Sequence, residues 1–148
     1  MSADGVAEQR AIETRLSDLC GGRVYVPLVE EEKLVRDTDT GIVLPYIVLS
    51  FGSVFPIESD RSIEGADQQP QLMPIIVECW ASDYDSARVT AGAVRTLLLG
   101  WTPGTDGNAS EIDLRGGSPF PSSGGAGRPS RYAETVTASL TINNSFVA

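Results

Sequence analysis

The side chains best suited to acid–base chemistry are two aspartates, Asp83 and Asp85, where a helix is predicted to begin. Paired carboxylates can act as a general acid and a general base. Acidic residues are also favoured in the first turn of a helix, because they complement the positive end of the helix dipole. This structural interpretation accounts for both residues, so we assign them no catalytic role.

A second group of carboxylates, Glu30, Glu31 and Glu32, is consecutive in the chain. Carboxylates can bind a hard cation, but the side chains of adjacent residues do not converge on one point. The run is more typical of a solvated loop. We therefore predict no metal site there.

Nucleophilic catalysis would have to use serines such as Ser118, Ser122 and Ser123. The chain contains no histidine that could activate them. The glycine pairs at 116–117 and 124–125 lack the spacing of a P-loop or of a dinucleotide-binding fingerprint. We therefore expect a protein that is not an enzyme and needs no cofactor.

The charge balance narrows the classes of partner. The 148 residues include 11 basic and 20 acidic side chains, a formal net charge of -9. Such a chain repels phosphate backbones and anionic lipids, so tight binding to nucleic acid or to a membrane surface is disfavoured. Its apolar runs are also far shorter than the ~18 residues that span a bilayer. The length favours a single domain over residues 1–148.

The two cysteines, Cys20 and Cys79, are far apart in the sequence and do not have the spacing of a metal-binding pair. A disulfide between them stays open as an alternative. Two separate buried thiols are the simpler interpretation, because free cysteine commonly behaves as a small apolar residue.

Two helices are predicted. The first follows the N-terminus and places one apolar face against the protein, formed by Val6, Ile12, Leu16 and Leu19, before it stops at Gly21 and Gly22. The second begins at Ser82 or Asp83, either of which can cap it. Its apolar stripe faces the sheet and consists of Ala87, Ala91, Val94 and Leu98.

Strands account for most of the remaining apolar sequence. An edge strand is predicted near Pro27, because proline lacks an amide donor. PIIVECWAS reads as a central strand, and YAETVTASLTI alternates apolar and hydroxyl-bearing residues as an antiparallel strand does. The pattern predicts an α/β fold of the α+β kind. We expect an antiparallel-rich mixed sheet of about four to six strands, packed by two helices, with long loops.

Two segments lack any periodic pattern. Residues 59–73 are predicted to form a long exposed loop. Residues 102–131 are dominated by Gly, Pro and Ser, and so long an irregular stretch in a small domain is typical of a loop or of a functional arm.

The outward face of the second helix has an unusual composition. It carries Val89, Gly92, Ala93 and Thr96, where a solvated face would carry Lys and Glu. Small residues let another backbone approach closely, and Arg88 and Arg95 lie on one flank, where they could form ion pairs at the edge of a contact. A subunit interface is one interpretation; a poorly optimised surface, or cover by a loop of the same chain, is the other.

Three further arginines, Arg115, Arg128 and Arg131, bracket the Gly/Pro/Ser-rich segment. Without interleaved aromatic platforms, and in an acidic chain, they fit the rim of a protein–protein contact better than a nucleic-acid site. We predict that this arm contacts a partner.

The order of these elements resembles that of the tail terminator proteins of long-tailed, siphovirus-type bacteriophages, the family that includes the lambda-like terminators. The resemblance is carried by the N-terminal helix, by the Gly-rich excursion, and by LPYIVLSFG, PIIVECWASDYDSARVTAGAVRTLLLGWTP and YAETVTASLTIN. It covers most of the chain. It is one of layout rather than of a catalytic signature.

The resemblance implies a virion protein at the head-proximal end of the tail, present in the host cytoplasm during assembly. Six copies would form a ring on the last ring of the tail tube, stop its polymerisation and join it to the head–tail connector, or stopper, protein. Genome DNA would pass through the acidic lumen without specific binding. A head-to-tail ring needs two different complementary surfaces on each copy. We expect one to be the Val89–Thr96 face and the other to include part of the arm.

Two other functions remain open from the sequence. The chain could be another head–tail connector component. It could instead bind a small ligand under residues 102–131, with that segment as a lid.

Overall fold

The protein is an α+β fold, as predicted, with two helices packed on one sheet. The computed structural model describes residues 5–53, 55–56, 71–103, 109–114, 119–122 and 131–142. The helices are α1 (Val6–Leu16) and α2 (Tyr84–Leu98). The strands are β1 (Val24–Tyr25), β2 (Tyr46–Phe51), β3 (Phe55–Pro56), β4 (Gln71–Ala81), β5 (Ala109–Leu114), β6 (Phe120–Ser122) and β7 (Arg131–Ile142).

Over the described residues, the sheet has seven strands in the order β1-β2-β4-β7-β5, with β3 paired to β4 and β6 paired to β7. All pairings are antiparallel except β1 with β2, so the sheet is mixed and antiparallel-rich as predicted. The number exceeds the expected four to six because three of the strands are only two or three residues long. Such short strands leave little pattern in a sequence.

The long antiparallel pair β4–β7 forms the centre of the sheet, with a continuous register from Gln71 opposite Ile142 to Ala81 opposite Tyr132. PIIVECWAS is therefore a central strand, as predicted. The alternation predicted for β7 is also present, because Val136, Ala138 and Leu140 are buried. Their side chains belong to the main core, between the sheet and the helices.

The edge strand predicted near Pro27 is β1. Among the described strands it pairs with β2 alone, and it ends just before a cis Val26–Pro27 peptide bond. The chain then crosses the sheet face that lies opposite the helices. A second, smaller apolar cluster forms there from Leu34, Val43, Tyr46 and Val48. The helices thus cover one face of the sheet, and residues 26–45 cover part of the other, on which Ile76 of β4 is 39% exposed.

α2 is positioned by its cap and by its apolar stripe. Asp83, rather than Ser82, is the N-cap, and its carboxylate accepts a hydrogen bond of 2.9 Å from the amide of Ser86. Hydrogen bonding with the side chain of Ser86, and then with its amide, holds the pKa of Asp83 below its ordinary value. The predicted stripe faces the sheet, since all four of its residues are fully buried: Ala87, Ala91, Val94 and Leu98.

We expect the Asp83→Ala variant to be less stable by about 1 kcal/mol, because the Ser86 amide would lose its acceptor at the helix start. Ser82→Ala is the matched control, since Ser82 was the other cap candidate. It should change the unfolding free energy by less than about 0.5 kcal/mol. Urea unfolding followed by circular dichroism measures both. Equal losses in the two variants would contradict the cap assignment.

α1 differs from its prediction at its first residue. Ile12 and Leu16 are buried, but Val6 is 48% exposed, and Leu19 lies beyond the helix in a 3-10 turn, where it is partly buried. Glu8, in the first turn of α1, is buried, whereas Val6 is not. Gly21 and Gly22 have the positive φ angles expected of a left-handed stop, although they end the 3-10 turn rather than α1 itself.

The two segments predicted to be irregular contain strands. Residues 71–73 already belong to β4, and β5 and β6 lie within residues 102–131. Both β5 and β6 pair with β7. A long neighbouring strand supplies backbone partners that do not depend on local composition, which explains why the Gly/Pro/Ser content was misleading. Pro121 is tolerated because, in the part of the sheet that the structure describes, β6 pairs with β7 only.

Candidate functional site

The outer face of α2 is open in the described part of the structure. Val89 is 72% exposed, and Arg88 and Thr96 are exposed as well. Gly92 and Ala93 are intermediate in exposure, and a Cβ atom built on Gly92 would meet nothing within 4 Å. The predicted combination of an aliphatic side chain and small residues is therefore accessible. That it contacts another subunit stays a prediction.

The hydroxyl group of Thr96 on this face has its hydrogen-bond acceptor within the helix. The Thr96 hydroxyl donates to the carbonyl of Gly92, 3.0 Å away. Thr96 therefore needs no polar partner from outside. An apolar or small surface of another molecule can cover it without leaving a buried donor unpaired.

Arg95 does not lie on the rim with Arg88. Its Nη2 is in ion-pair contact with Oε2 of Glu134 on β7, and Glu134 is only 1% exposed. The contact has the closeness of an ion pair without the alignment of a hydrogen bond, and Arg95 Nε and Nη2 and Glu134 Oε2 are buried without hydrogen-bond partners in the described structure. Arg95 thus ties α2 to the sheet, whereas Arg88 is exposed at the flank.

Glu134 was not singled out from the sequence. The signal was present, because Glu134 shares the alternating face of β7 with the buried Val136, Ala138 and Leu140. A carboxylate on a buried face requires a cation. The candidate that lies on the flank of the adjacent helix is Arg95.

Arg131, predicted to contact a partner, is engaged within its own chain. Its guanidinium donates to Glu31 at 3.0 Å and to the hydroxyl of Tyr46 at 3.1 Å, and lies over the ring of Trp80 at 5.9 Å. The rings of Tyr46 and Trp80 are stacked. Burial raises the pKa of Tyr46, which keeps its hydroxyl neutral. Arg131 therefore clamps residues 26–45 to the sheet, and its predicted partner contact stays a prediction.

The other arginines of the predicted arm, Arg115 and Arg128, lie outside the described residues.

The three consecutive glutamates, Glu30, Glu31 and Glu32, are described, and each has a different environment. Glu31 pairs with Arg131 and Arg36, whereas Glu30 is 3.9 Å from Lys33 and Glu32 is exposed. No group of three or more His, Cys, Asp or Glu side chains that could hold a metal occurs among the described residues.

The two cysteines are both free thiols. Cys79 is fully buried in the main core, and Cys20 packs against that core from the 3-10 turn. Burial raises the pKa of Cys79 to about 12. Burial also raises the pKa of Cys20, opposed by a hydrogen bond with Thr90 and by the charge of Arg23. The two thiols are separate, as the simpler interpretation predicted, but only Cys79 is buried, whereas Cys20 is partly buried.

Because the pKa of Cys79 is higher in the folded than in the unfolded chain, its contribution to stability is complete below pH 9 and declines as pH rises towards 12. We expect the difference in unfolding free energy between the protein and a Cys79→Ala variant to shift by roughly 1 kcal/mol between pH 8 and pH 10. Denaturant titrations at the two pH values measure this shift. A constant difference would contradict the burial of the thiol.

A groove of about 550 Å³ lies between α1 and the end of α2, lined by Arg10, Ala11, Thr14, Arg15 and Trp101. Arg15 donates from Nε to the carbonyl of Leu97 at 2.9 Å and lies over the ring of Trp101. Arg15 thus fastens α1 to the end of α2.

Within the described residues, no helix is both long and apolar enough to cross a membrane.

Comparisons with known proteins support the fold. No protein-family model matches the chain, and no curated protein matches it. A chain in the solved structure entitled "Virion of native gene transfer agent (GTA) particle" has a similar fold, with a TM-score of 0.50 and 18% sequence identity. The similarity covers 95% of this chain and 98% of that chain. At this identity, it establishes a shared fold over nearly the whole length of both chains.

Proposed function

We propose that the protein is a structural component of a phage-type virion and acts there as a tail terminator. It would form a ring at the head-proximal end of the tail tube, with six copies as in the family that it resembles. The ring would stop polymerisation of the tube and join the tail to the connector below the capsid. No catalytic step is part of this role.

The observation that carries the proposal is the uncovered outer face of α2. A well-packed helix that buries one stripe completely and leaves Val89 72% exposed beside Gly92 and Ala93 has the composition of a contact surface. Joining copies in a ring requires such a surface. A protein that worked as a monomer would gain solubility from charged residues at these positions.

The structural comparison supports the coarser part of the proposal, a structural component of a virion. The similar chain belongs to a virion, and the likeness extends over 95% of this chain rather than over one motif. A virion component that shares the entire fold favours a structural assignment over an enzymatic one. The comparison does not give the position of the chain in the particle. For that position, the proposal relies on the resemblance to tail terminators.

The net charge of -9 fits a ring through which DNA passes. An acidic lumen repels the phosphate backbone, so the genome would not adhere while it moves. Head-to-tail contacts would close the ring, because each copy then uses one surface to bind its neighbour on each side.

Deletion of the gene tests the proposal. Without a terminator, we expect tails longer than normal, or tubes that fail to join capsids, in electron micrographs of the particles. Supplying the gene in trans is the control and should restore tail length and joining. Tails of normal length joined to capsids in the deletion strain would contradict the proposal.

A further inference from the structure

Resting on the proposed ring, we infer that the groove between α1 and the end of α2 binds an acidic segment of the neighbouring copy. The groove is the one lined by Arg10, Arg15 and Trp101. The acidic segment is the run of three glutamates at 30–32. Guanidinium groups of one copy would meet carboxylates of the next.

Arg15 is held in the groove in a position to bind an anion. Its Nε donates to the carbonyl of Leu97 at 2.9 Å, and its guanidinium carbon lies 5.4 Å from the centroid of the Trp101 ring. Among the described residues, its two Nη atoms have no hydrogen-bond or ion-pair partner. A guanidinium fixed in this way loses little side-chain entropy when it binds a carboxylate.

The rest of the lining makes the groove a positive surface on an acidic protein. Arg10 adds a second guanidinium and Thr14 a hydroxyl, and no carboxylate is among the described residues that line the groove. Arg10 is 3.2 Å from Glu13, but 69% of the Arg10 side chain is exposed, so this pair contributes little and leaves Arg10 free to bind another carboxylate. On a chain of net charge -9, such a groove favours an acidic occupant.

The acidic segment has carboxylates that its own copy leaves exposed. Glu31 is bound to Arg131 at 3.0 Å, which anchors the segment to β7. Glu30 and Glu32, on either side of it, are exposed. Glu30 is 3.9 Å from the exposed Lys33, and Glu32 has no partner among the described residues. The segment is therefore ordered in the free copy while two of its charges stay available to a neighbour.

The groove and the acidic segment lie on opposite sides of one copy. The acidic segment leads into Leu34, which packs with Tyr46 and Val48 of β2. These two residues alternate along β2 with Ile47 and Leu49, which face the main core and the helices. The groove lies on the helix side, so its carboxylate has to come from another molecule. A second copy offers one, and two different surfaces on each copy are what a head-to-tail ring requires.

The groove adjoins the outer face of α2. Leu97, whose carbonyl binds Arg15, directly follows Thr96 of that face. Leu99, at the end of the helix, is 69% exposed and adds an aliphatic side chain between the two surfaces. A neighbour that covers the outer face of α2 would therefore also reach the groove. The contact would have an apolar centre with charged groups at its edge.

Charge reversal on the two sides of the contact tests the inference. Glu32→Arg places a cation against the groove, and Arg10→Glu places a carboxylate against the acidic segment. Each single variant should reduce the number of rings assembled on tail tubes by at least about tenfold, because like charges then face each other. Arg10 is used because Arg15 also fastens α1 to α2. Glu32 and Arg10 are exposed, so the free copies should stay folded, which circular dichroism verifies.

The double variant, with both reversals in one chain, should restore assembly to within about threefold of the natural protein, since opposite charges face each other again. Asp39→Arg is the matched control, because it makes the same change at an exposed carboxylate outside the acidic segment, and it should assemble normally. Single variants that behave like this control, or a double variant that does not recover, would overturn the inference and leave the terminator role standing. The absence of rings when the natural protein is mixed with tubes would overturn both.

Discussion

An Arg95→Met variant should be less stable than the natural protein by about 3 kcal/mol, because it leaves the carboxylate of Glu134 buried without its cation. Glu134 is only 1% exposed, so water cannot replace the guanidinium without opening the interface between α2 and β7. The lower end of the range for buried pairs applies, since the Arg95 side chain is 27% exposed. Urea unfolding followed by circular dichroism gives the difference.

Arg88→Met is the matched control for this substitution. It makes the same chemical change two turns earlier on the same flank of α2, where the side chain is exposed, and should shift the unfolding free energy by less than about 0.5 kcal/mol. The double variant Arg95→Met, Glu134→Leu should recover most of the lost stability, because an apolar pair needs no charge compensation. Similar losses for Arg95→Met and Arg88→Met would show that Arg95 does not anchor the helix.

The second large effect concerns assembly rather than folding. We expect Ala93→Arg to abolish ring formation while the single copy stays folded. Ala93 lies on the outer face of α2 and is only partly covered, so a long charged side chain fits on a free copy. In the ring, the same side chain would occupy the space of the neighbour and bring an unpaired charge into the contact.

Mass measurement of the variant mixed with tail tubes, together with circular dichroism of the variant alone, separates the two outcomes. Ala7→Arg is the matched control, because Ala7 is an exposed alanine on α1, and this variant should assemble normally. If Ala93→Arg unfolds the single copy, the position belongs to the core. If it assembles as well as Ala7→Arg does, the outer face of α2 is not the interface.

Features set by local pattern were predictable from the sequence. The spacing of Ala87, Ala91, Val94 and Leu98 identified the buried stripe of α2, and its complement identified the exposed face. Alternation identified β7, and Pro27 identified the edge strand. In each case, the periodicity of the backbone and the preference of apolar groups for burial are sufficient causes.

Features that depend on contacts between distant segments were not predictable in the same way. The Arg131–Glu31 bond joins residues 100 positions apart, so Arg131 looked like a free cation in its local context. From the sequence, Arg95 was predicted to lie beside Arg88 at the edge of a contact, because both are on α2. In the folded protein, Arg95 pairs with Glu134 of β7 instead. β5 and β6 likewise exist through pairing with β7. Local sequence can mark Glu134 as a carboxylate on a buried face, but it does not show which distant segments come together in the fold.

The internal contacts of Arg95 and Arg131 reduce the number of residues in the proposed interface. With Arg95 and Arg131 engaged inside the chain, Arg88 is the described cation that the outer face of α2 can offer to a neighbour. The predicted interface therefore contracts to Val89, Gly92, Ala93 and Thr96 with Arg88 at its edge. That smaller surface is apolar at its centre and charged at its rim, as protein–protein contacts generally are.

The central claim is that the outer face of α2 binds another copy of this chain. An electron cryomicroscopy reconstruction of the head-proximal end of the assembled tail tests it directly, through the environment of Val89. We predict that a neighbouring copy covers Val89 in a closed ring. A reconstruction in which Val89 faces solvent, with no other chain in contact with α2, would contradict it.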